Sequence, residues 1–155
     1  MQKARSTKSQ RGSSVAEFAI VAGVFFMIIF GIIEFARLLY THNALTDAAR
    51  RGARYAVLHA QDKPCVRNVT IYGETHVDPN TCAPTGPALI NGLTTTNVVV
   101  DYGTGAFGMN VGTATVSIQS YQFNLSIPLF RQTLTLPAYT TTLTAESAGT
   151  IPPDI

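Results

Sequence analysis

Two cysteines and three histidines are the side chains of this 155-residue chain best suited to covalent or metal chemistry. Cys65 and Cys82 could form a disulfide, remain free thiols, or hold zinc together with His59 or His76. Compact zinc sites pair their cysteines as C-x₂-C, a spacing that these two residues do not have. The charge pattern described below places this region in an oxidising compartment, so the sequence favours a disulfide.

No catalytic constellation is recognisable in the sequence. No acid or nucleophile lies at a spacing from His42, His59 or His76 that would indicate a catalytic site. We interpret these histidines as surface residues or as polar residues with ordinary hydrogen-bond partners. The chain has no G-x-S-x-G, P-loop or H-E-x-x-H motif, and its many serines and threonines lack a base. We therefore expect a non-enzymatic protein without a cofactor or a metal ion.

One acid, Glu17, lies at the start of the only long apolar run. It is followed by sixteen uncharged residues, 18–33. A carboxylate inside a bilayer costs roughly 2.5–3.5 kcal/mol at the helix centre on insertion scales. Glu17 therefore needs a counter-charge or a specific role.

A basic leader, residues 1–12, precedes this run, and we expect it to be unstructured. Lys3, Arg5, Lys8 and Arg11 account for the formal charge of +2, because the remaining seven basic residues face nine acidic ones. The charge thus gives no reason to expect a nucleic-acid partner. Positive residues before an apolar segment hold the N-terminus in the cytoplasm, which places the rest of the chain in the bacterial periplasm.

Residues 13–40 are long and apolar enough for a single membrane-spanning helix, since about 20 residues cross a hydrocarbon core. A cleaved secretory signal is the alternative. The run is too long for it, carries an acid at its start and has no A-x-A cleavage site. We expect an anchored protein of the inner membrane with its N-terminus in the cytoplasm.

Small and charged residues within the span suggest helix packing. Ala19 and Gly23 form a small-xxx-small pair, and Gly31 lies near the same face, a pattern that lets membrane helices approach closely. Membrane helices also simply tolerate glycine. Glu34 and Arg37, three residues apart, either mark the membrane interface or form a pair between subunits.

Residues 41–61 predict a periplasmic continuation of the same helix, because Ala, Leu and Arg favour helix. A helix from Ser13 to Ala60 would be about 72 Å long, and Asp62, Lys63 and Pro64 would end it. Its small residues share one face, and a close neighbour must cover that face. This predicted buried face contains Leu45, Ala48, Ala49, Gly52, Ala56 and His59, opposite Asp47, Arg50, Arg51 and Arg54.

The rest of the chain reads as strands and turns. Alternating or β-branched runs predict strands within 66–73, 96–103, 113–125 and 132–146, and residues 87–93 could form one or two helical turns. The predicted fold is α+β: a long N-terminal helix whose second half packs on a small antiparallel sheet. The expected segments are a leader (1–12), a membrane helix (13–40), its periplasmic continuation (41–61) and a β-rich domain (62–155).

The N-terminal third resembles the TadE-like proteins, pseudopilins of the tight-adherence (Tad, Flp) pilus machinery. Three pieces carry the resemblance: Gly12 followed by Glu17-Phe18-Ala19, FGIIEFARLLY at 30–40, and AARRGARYA at 48–56. Cutting after Gly12 would make Glu17 the fifth residue of the product, the layout of a type IV-like signal. The family usually has a proline where this chain has Gly23, so a straighter helix is expected here.

The resemblance implies a pilin-like fold and a processing site formed by Gly12, Ser13 and Glu17. A membrane prepilin peptidase would cut after Gly12, and Glu17 would then balance the new ammonium of its own chain or of a neighbour. Other implied partners are pilins or pseudopilins, which contact the N-terminal helix, and the inner-membrane assembly platform of the pilus. The protein could itself enter the filament. A TadF-type role is not separated from a TadE-type role by these residues.

Two rival functions remain at this point. The first is an unprocessed, signal-anchored module whose β-rich domain binds a wall component or another partner. The second is a periplasmic enzyme on an anchor, which the lack of catalytic residues disfavours. Persistence of residues 1–12 in the mature protein would favour the binding module.

Overall fold

A single long helix dominates the molecule. The computed structural model describes residues 10–59, 62–103, 112–127 and 130–144. Helix α1 spans Gln10–Leu58, 49 residues without a break, and so is about 73 Å long. It is continuous through Gly23. The leader was expected to be unstructured to Gly12, but α1 already includes its last residues; residues 1–9 lie outside the described part.

The first half of α1 has the properties of a membrane anchor. It is the one helix in the described part that is long and apolar enough to cross a membrane, with a mean hydropathy of 2.6 over its best 18-residue window. Its large apolar side chains point away from the rest of the protein; Phe18, for example, is 72% exposed. In water such a surface would be unfavourable, so it requires lipid or other helices.

The second half of α1 forms the spine of the folded domain. Its small-residue face is buried, as predicted, so neighbouring elements approach the backbone closely. His59 was placed on this face wrongly: it lies beyond the last turn and is exposed. The buried residues of this half are Thr41, Leu45, Ala48, Ala49, Gly52, Ala53, Ala56 and Val57.

Residues 66–73, predicted as a strand, belong instead to helix α2, Lys63–Tyr72. The Asp62 side chain caps this helix by accepting from the Cys65 backbone N–H at 3.3 Å, and Pro64 suits its first turn because it needs no hydrogen-bond donor there. Pro64 thus starts a helix rather than ending α1, which stops at Leu58. The buried positions Val66, Val69 and Thr70 are spaced by three and four residues, so the true period is helical.

Helix α2 crosses α1 at Gly52. A Cβ atom added there would lie 2.1 Å from the Thr70 hydroxyl oxygen and 3.2 Å from a methyl group of Val116. No larger residue fits this crossing without displacing α2 or the sheet.

Five strands form two antiparallel sheets. Strands β1 (Val98–Tyr102), β2 (Thr113–Ile118) and β5 (Tyr139–Thr144) make a three-stranded sheet in the order β1-β2-β5. Strands β3 (Gln122–Ile127) and β4 (Phe130–Thr135) form a separate hairpin. The α+β class and the antiparallel pairing are as predicted, but two sheets replace the one expected.

Each of the two long predicted strands is in fact two strands. The 113–125 run breaks at Ser120, whose φ of 54° lies in the left-handed region, where Asn97 donates to the backbone carbonyls of Gln119 and Ser120. The 132–146 run breaks before Tyr139, and its last two residues lie outside the described part. Residues 87–93 form bends and turns rather than a helix.

The core lies between α1, α2 and the three-stranded sheet. Val116 and Ile118 of β2 are buried there beside the small-residue face of α1, and Val98 of β1, which packs beside α2, belongs to the same core. The opposite face of the sheet is polar, with hydroxyl pairs across the strands such as Thr115–Thr142 at 2.9 Å. Such a one-sided sheet is typical of a small domain that packs on a single helix.

Candidate functional site

The most specific polar contact between α1 and the β strands involves Glu34 and Arg37. Nη1 of Arg37 lies 3.3 Å from Oε2 of Glu34, one helical turn away. Glu34 is only 6% exposed, which is rare for a carboxylate and requires partners.

Those partners come from strand β3. The Glu34 Oε1 atom accepts the Ser126 backbone N–H at 3.0 Å, while Arg37 donates to the backbone carbonyl of Asn124. The Arg37 guanidinium also lies 4.6 Å from the centroid of the Phe123 ring, within cation–π range. We call Glu34, Arg37 and the backbone of residues 123–126 the helix–hairpin junction.

The junction provides hydrogen-bond partners for backbone groups at the edge of β3 that does not face β4. In the described residues β3 pairs only with β4, so its other edge presents backbone donors and acceptors. Unpaired backbone groups are costly when shielded from water, and the two charged side chains of α1 supply hydrogen bonds to them. The pair is thus an intramolecular tie, a role that neither sequence interpretation included; pairing between subunits stays a prediction.

Loss of this tie should be measurable. Glu34→Ala is expected to lower the free energy of unfolding by about 2 kcal/mol, because the Ser126 N–H loses a charged acceptor and Arg37 loses its partner. Urea denaturation of the full chain in detergent measures the loss, and hydrogen exchange should accelerate at the Ser126 amide.

A matched control lies about three and a half turns further along the same helix. Asp47 and Arg51 also form an ion pair at 3.3 Å, but the Asp47 side chain is 72% exposed. Asp47→Ala should cost less than about 1 kcal/mol, as is usual for exposed pairs. Equal effects of the two substitutions would contradict the special role of Glu34.

The residues of the expected processing site lie on one exposed stretch of α1. Gly12 has no other atom within 4 Å of the place where a Cβ would be, so it is accessible. The Ser13 hydroxyl donates to Glu17 Oε1 at 3.4 Å, one turn away. A positive charge at the Ser13 nitrogen would therefore lie within one helical turn of the Glu17 carboxylate.

The residues expected to mediate helix packing separate into two groups. Ala19, Gly23 and Gly31 lie on the exposed half of α1, and a Cβ at either glycine would contact nothing. These positions are available to another helix. The other group is buried inside the domain and is therefore not available to another helix. It consists of Ala48, Ala49, Gly52 and Ala56.

Cys65 and Cys82 are joined in a disulfide whose Cα atoms are 5.0 Å apart, within the usual range. It ties the first turn of α2 to the loop around Asp78. That loop is also held by the Asp78 carboxylate, which accepts the N–H groups of Asn80 and Thr81; these bonds lower the pKa of Asp78. The Asp62 carboxylate lies beside the two sulfur atoms, but sulfurs joined to each other are not thiolate ligands for a metal ion.

The three histidines have ordinary partners. His42 Nδ1 lies 2.8 Å from the Tyr139 hydroxyl, and burial raises the pKa of that phenol. His59 stacks on Tyr55 with ring centroids 3.9 Å apart, and His76 lies 3.1 Å from the Thr75 hydroxyl. In the described ranges no histidine is hydrogen-bonded to a carboxylate, and we find no grouping suited to nucleophilic catalysis.

The sequence singled out Glu34 and Arg37 but not their targets. Asn124 and Ser126 act through backbone atoms some 90 residues away in the chain, with separations of 87 and 92, and side-chain identity carries no signal for such contacts. Phe123 is a typical core residue, and nothing in its pattern predicts a cation above its ring.

Comparison with protein families supports the sequence resemblance. The family model described as TadE-like protein matches residues 12–54, a segment that includes Gly12, Glu17, Glu34, Arg37 and most of the small-residue face of α1. The resemblance is confirmed over this segment, less than a third of the chain. Searches of curated proteins and of solved structures find no match.

Proposed function

We propose that this chain is a TadE-like minor pseudopilin, a non-enzymatic structural component in the assembly of a Tad/Flp-type pilus used in adhesion or in a related secretion apparatus. The family match at residues 12–54 carries the proposal. The architecture supports it: one helix supplies an apolar anchor and then the spine of a small antiparallel β domain. A type IV pilin-like subunit needs these two parts.

The proposed topology follows from the charges. The basic leader stays in the cytoplasm, the apolar half of α1 crosses the inner membrane, and the domain beyond Glu34 lies in the periplasm. The 21 residues from Ser13 to Ile33 would span about 31 Å as a helix, close to the hydrocarbon thickness of a bilayer. A disulfide between Cys65 and Cys82 suits that oxidising compartment.

A prepilin peptidase would then cut the bond between Gly12 and Ser13. The new ammonium at Ser13 would lie one helical turn from Glu17, and a paired carboxylate costs far less in lipid than a lone one. Glu17 could instead reach the new N-terminus of a neighbouring subunit. Only the pairing with a neighbour would place the helices of adjacent subunits in register.

The proposed partners are the prepilin peptidase, the assembly platform in the inner membrane, and other pilins or pseudopilins. Those subunits would contact the exposed half of α1, where Ala19 and Gly23 permit close approach. This surface is available for such contacts because, among the described residues, the domain covers the second half of the helix and leaves the first half exposed.

Intact mass of the protein from membranes tests the proposal. With a co-expressed prepilin peptidase we expect a product that starts at Ser13 and lacks the first twelve residues. Gly12→Leu and Glu17→Ala should prevent or strongly reduce its formation, because the first blocks the narrow site and the second removes the family's acid. Val15→Ile is the matched control and should be processed normally.

An unchanged full-length mass, in a host that demonstrably processes its other pilins, would overturn the proposal. The protein would then be an unprocessed, signal-anchored module whose domain binds a periplasmic partner.

A further inference from the structure

A cavity of about 630 Å³ lies between α1, the outer edge of β3 and the loop at 89–92. Binding sites for small ligands are usually of this size, roughly 300–1,000 Å³. On the side of α1 the cavity is lined by Arg37, Tyr40, Thr41 and Ala44, which share one face of the helix because of their spacing. The cavity therefore adjoins the helix–hairpin junction, and Arg37 belongs to both.

With α1 across a bilayer, this cavity lies at the membrane surface. Glu34 is the first charged residue after Glu17, sixteen uncharged residues later, and marks the edge of the hydrocarbon region. Arg37 lies three residues further, which is about 4.5 Å along the helix axis. Each interfacial layer of a bilayer is roughly 5–7 Å thick. The lower end of the cavity is therefore at the level of the lipid headgroups.

Arg37 retains hydrogen-bond donors that the junction does not use. A guanidinium has five N–H donors, and the described contacts of Arg37 use one toward Glu34 and one toward the Asn124 carbonyl. The Arg37 side chain is 46% exposed and lines the cavity. A guanidinium can bond two oxygens of a phosphate through parallel N–H groups, so the remaining donors suit a phosphate.

The outer edge of β3 adds backbone donors to the same cavity. Successive residues of an antiparallel strand turn their backbone groups alternately toward and away from the partner strand. The Asn124 carbonyl and the Ser126 N–H both point away from β4, to α1. The N–H groups of Gln122 and Asn124 therefore point outward as well, and both residues line the cavity. In the part of the chain that the structure describes, neither N–H has a partner.

The surface of α1 below the cavity is suited to acyl chains. Phe26, Phe30 and Ile33 precede Arg37 by eleven, seven and four residues, so they continue the same face of the helix into the hydrocarbon region. All three are large, exposed apolar side chains. Tyr40, which lines the cavity and is 74% exposed, is a residue type that is enriched at membrane–water interfaces.

We propose that this cavity binds the phosphate-containing headgroup of one phospholipid from the bilayer that α1 crosses. The phosphate oxygens accept hydrogen bonds from Arg37 and from the backbone N–H groups of β3, and the acyl chains lie along the apolar face below. The lipid thereby fills the space between the helix and the hairpin. The proposal rests on α1 spanning a bilayer and is independent of pilus assembly.

Amide resonances of the full-length protein in dodecyl maltoside micelles test the proposal, because this detergent contains no phosphate. We expect the Asn124 amide signal to shift and reach saturation as phosphatidylglycerol or phosphatidylethanolamine is added. Diacylglycerol with the same acyl chains lacks the phosphate, and soluble glycerol 3-phosphate lacks the chains. Each should bind at least about tenfold more weakly than the phospholipid.

Two substitutions and a matched control locate the site. Arg37→Gln should weaken phospholipid binding at least about tenfold, because the charged donors are lost. Since this change also alters the helix–hairpin junction, Ala44→Phe is a second variant that fills the cavity and leaves Arg37 and Glu34 in place. Arg54→Gln removes an exposed arginine of the same helix outside the cavity and should leave binding unchanged.

Contacts between the Phe25 amide and the detergent chains show whether α1 is embedded, so failure of the anchor is distinguished from failure of the headgroup site. With α1 embedded, the absence of a shift at Asn124 would overturn the proposal and leave the open edge of β3 to a strand of another protein. Equal shifts with diacylglycerol would mean that the cavity responds to acyl chains alone, and equal shifts with glycerol 3-phosphate that it binds free anions. Either result would also overturn the proposal.

Discussion

Gly52→Ala is expected to lower the stability of the folded domain by about 3 kcal/mol, at the upper end of typical overpacking costs. The new methyl group would lie 2.1 Å from the Thr70 hydroxyl oxygen. Because the sheet packs against both helices, they cannot move apart freely to relieve this clash. The better helix propensity of alanine returns only about 1 kcal/mol. Urea denaturation of the full chain in detergent, followed by tyrosine fluorescence, measures the net loss.

Gly31→Ala is the matched control for this substitution. It introduces the same methyl group into the same helix, at a place where nothing lies within 4 Å. It should be neutral or slightly stabilising in the isolated protein. Adding Thr70→Ala to Gly52→Ala should recover part of the loss, because the closest clashing atom is removed. Equal stability of the two glycine variants would show that α2 does not cross α1 at Gly52.

Removing the disulfide by Cys65→Ser together with Cys82→Ser is expected to cost about 3 kcal/mol, the loop-closure entropy of a loop of this length. The bridge spans a sequence separation of 17 and restrains the start of α2, which in turn covers Gly52. The variant should therefore unfold at lower urea concentration, with α2 loosened first.

Reductant provides the control for the disulfide. It should destabilise the natural protein to the level of the double variant and leave that variant unchanged. Alkylation of the unreduced protein isolated from membranes, followed by mass measurement, should detect no free thiol. Two alkylated cysteines would contradict the prediction and would mean that this part of the domain is held by packing alone.

Helix α1 could be predicted because its signals are local and strong. Hydrophobicity marks its first half, and the small residues at 48–56 mark the face that α2 and the sheet cover. The secondary-structure prediction failed at 66–73, because Val, Thr and Ile favour a strand although Asp62 and Pro64 start a helix. The helical spacing of Val66, Val69 and Thr70, which face the core, was present in the sequence but was outweighed by these strand-forming residue types.

The separation of the strands into two sheets also could not be predicted from the sequence. A left-handed residue at Ser120 and the hydrogen bonds from Asn97 end β2, and neither interrupts the alternation of apolar residues. The candidate site was likewise predictable only in part. Glu34 and Arg37 stand out as charges beside an apolar run, but what they bind depends on where β3 comes to lie.

The unbroken course of α1 has a mechanical consequence. Within its described length it contains no proline, and the domain packs on it from Glu34 onward. If its apolar half spans a bilayer, as we propose, the helix acts as a stiff rod that pivots at the membrane surface. From Glu34 to Leu58 the arm is about 36 Å long. A change in tilt of about 20°, within the range that membrane helices adopt, would swing its far end by about 12 Å. Forces applied to the apolar half of α1 would thus reach the domain as rotation, because the helix has no hinge to absorb them.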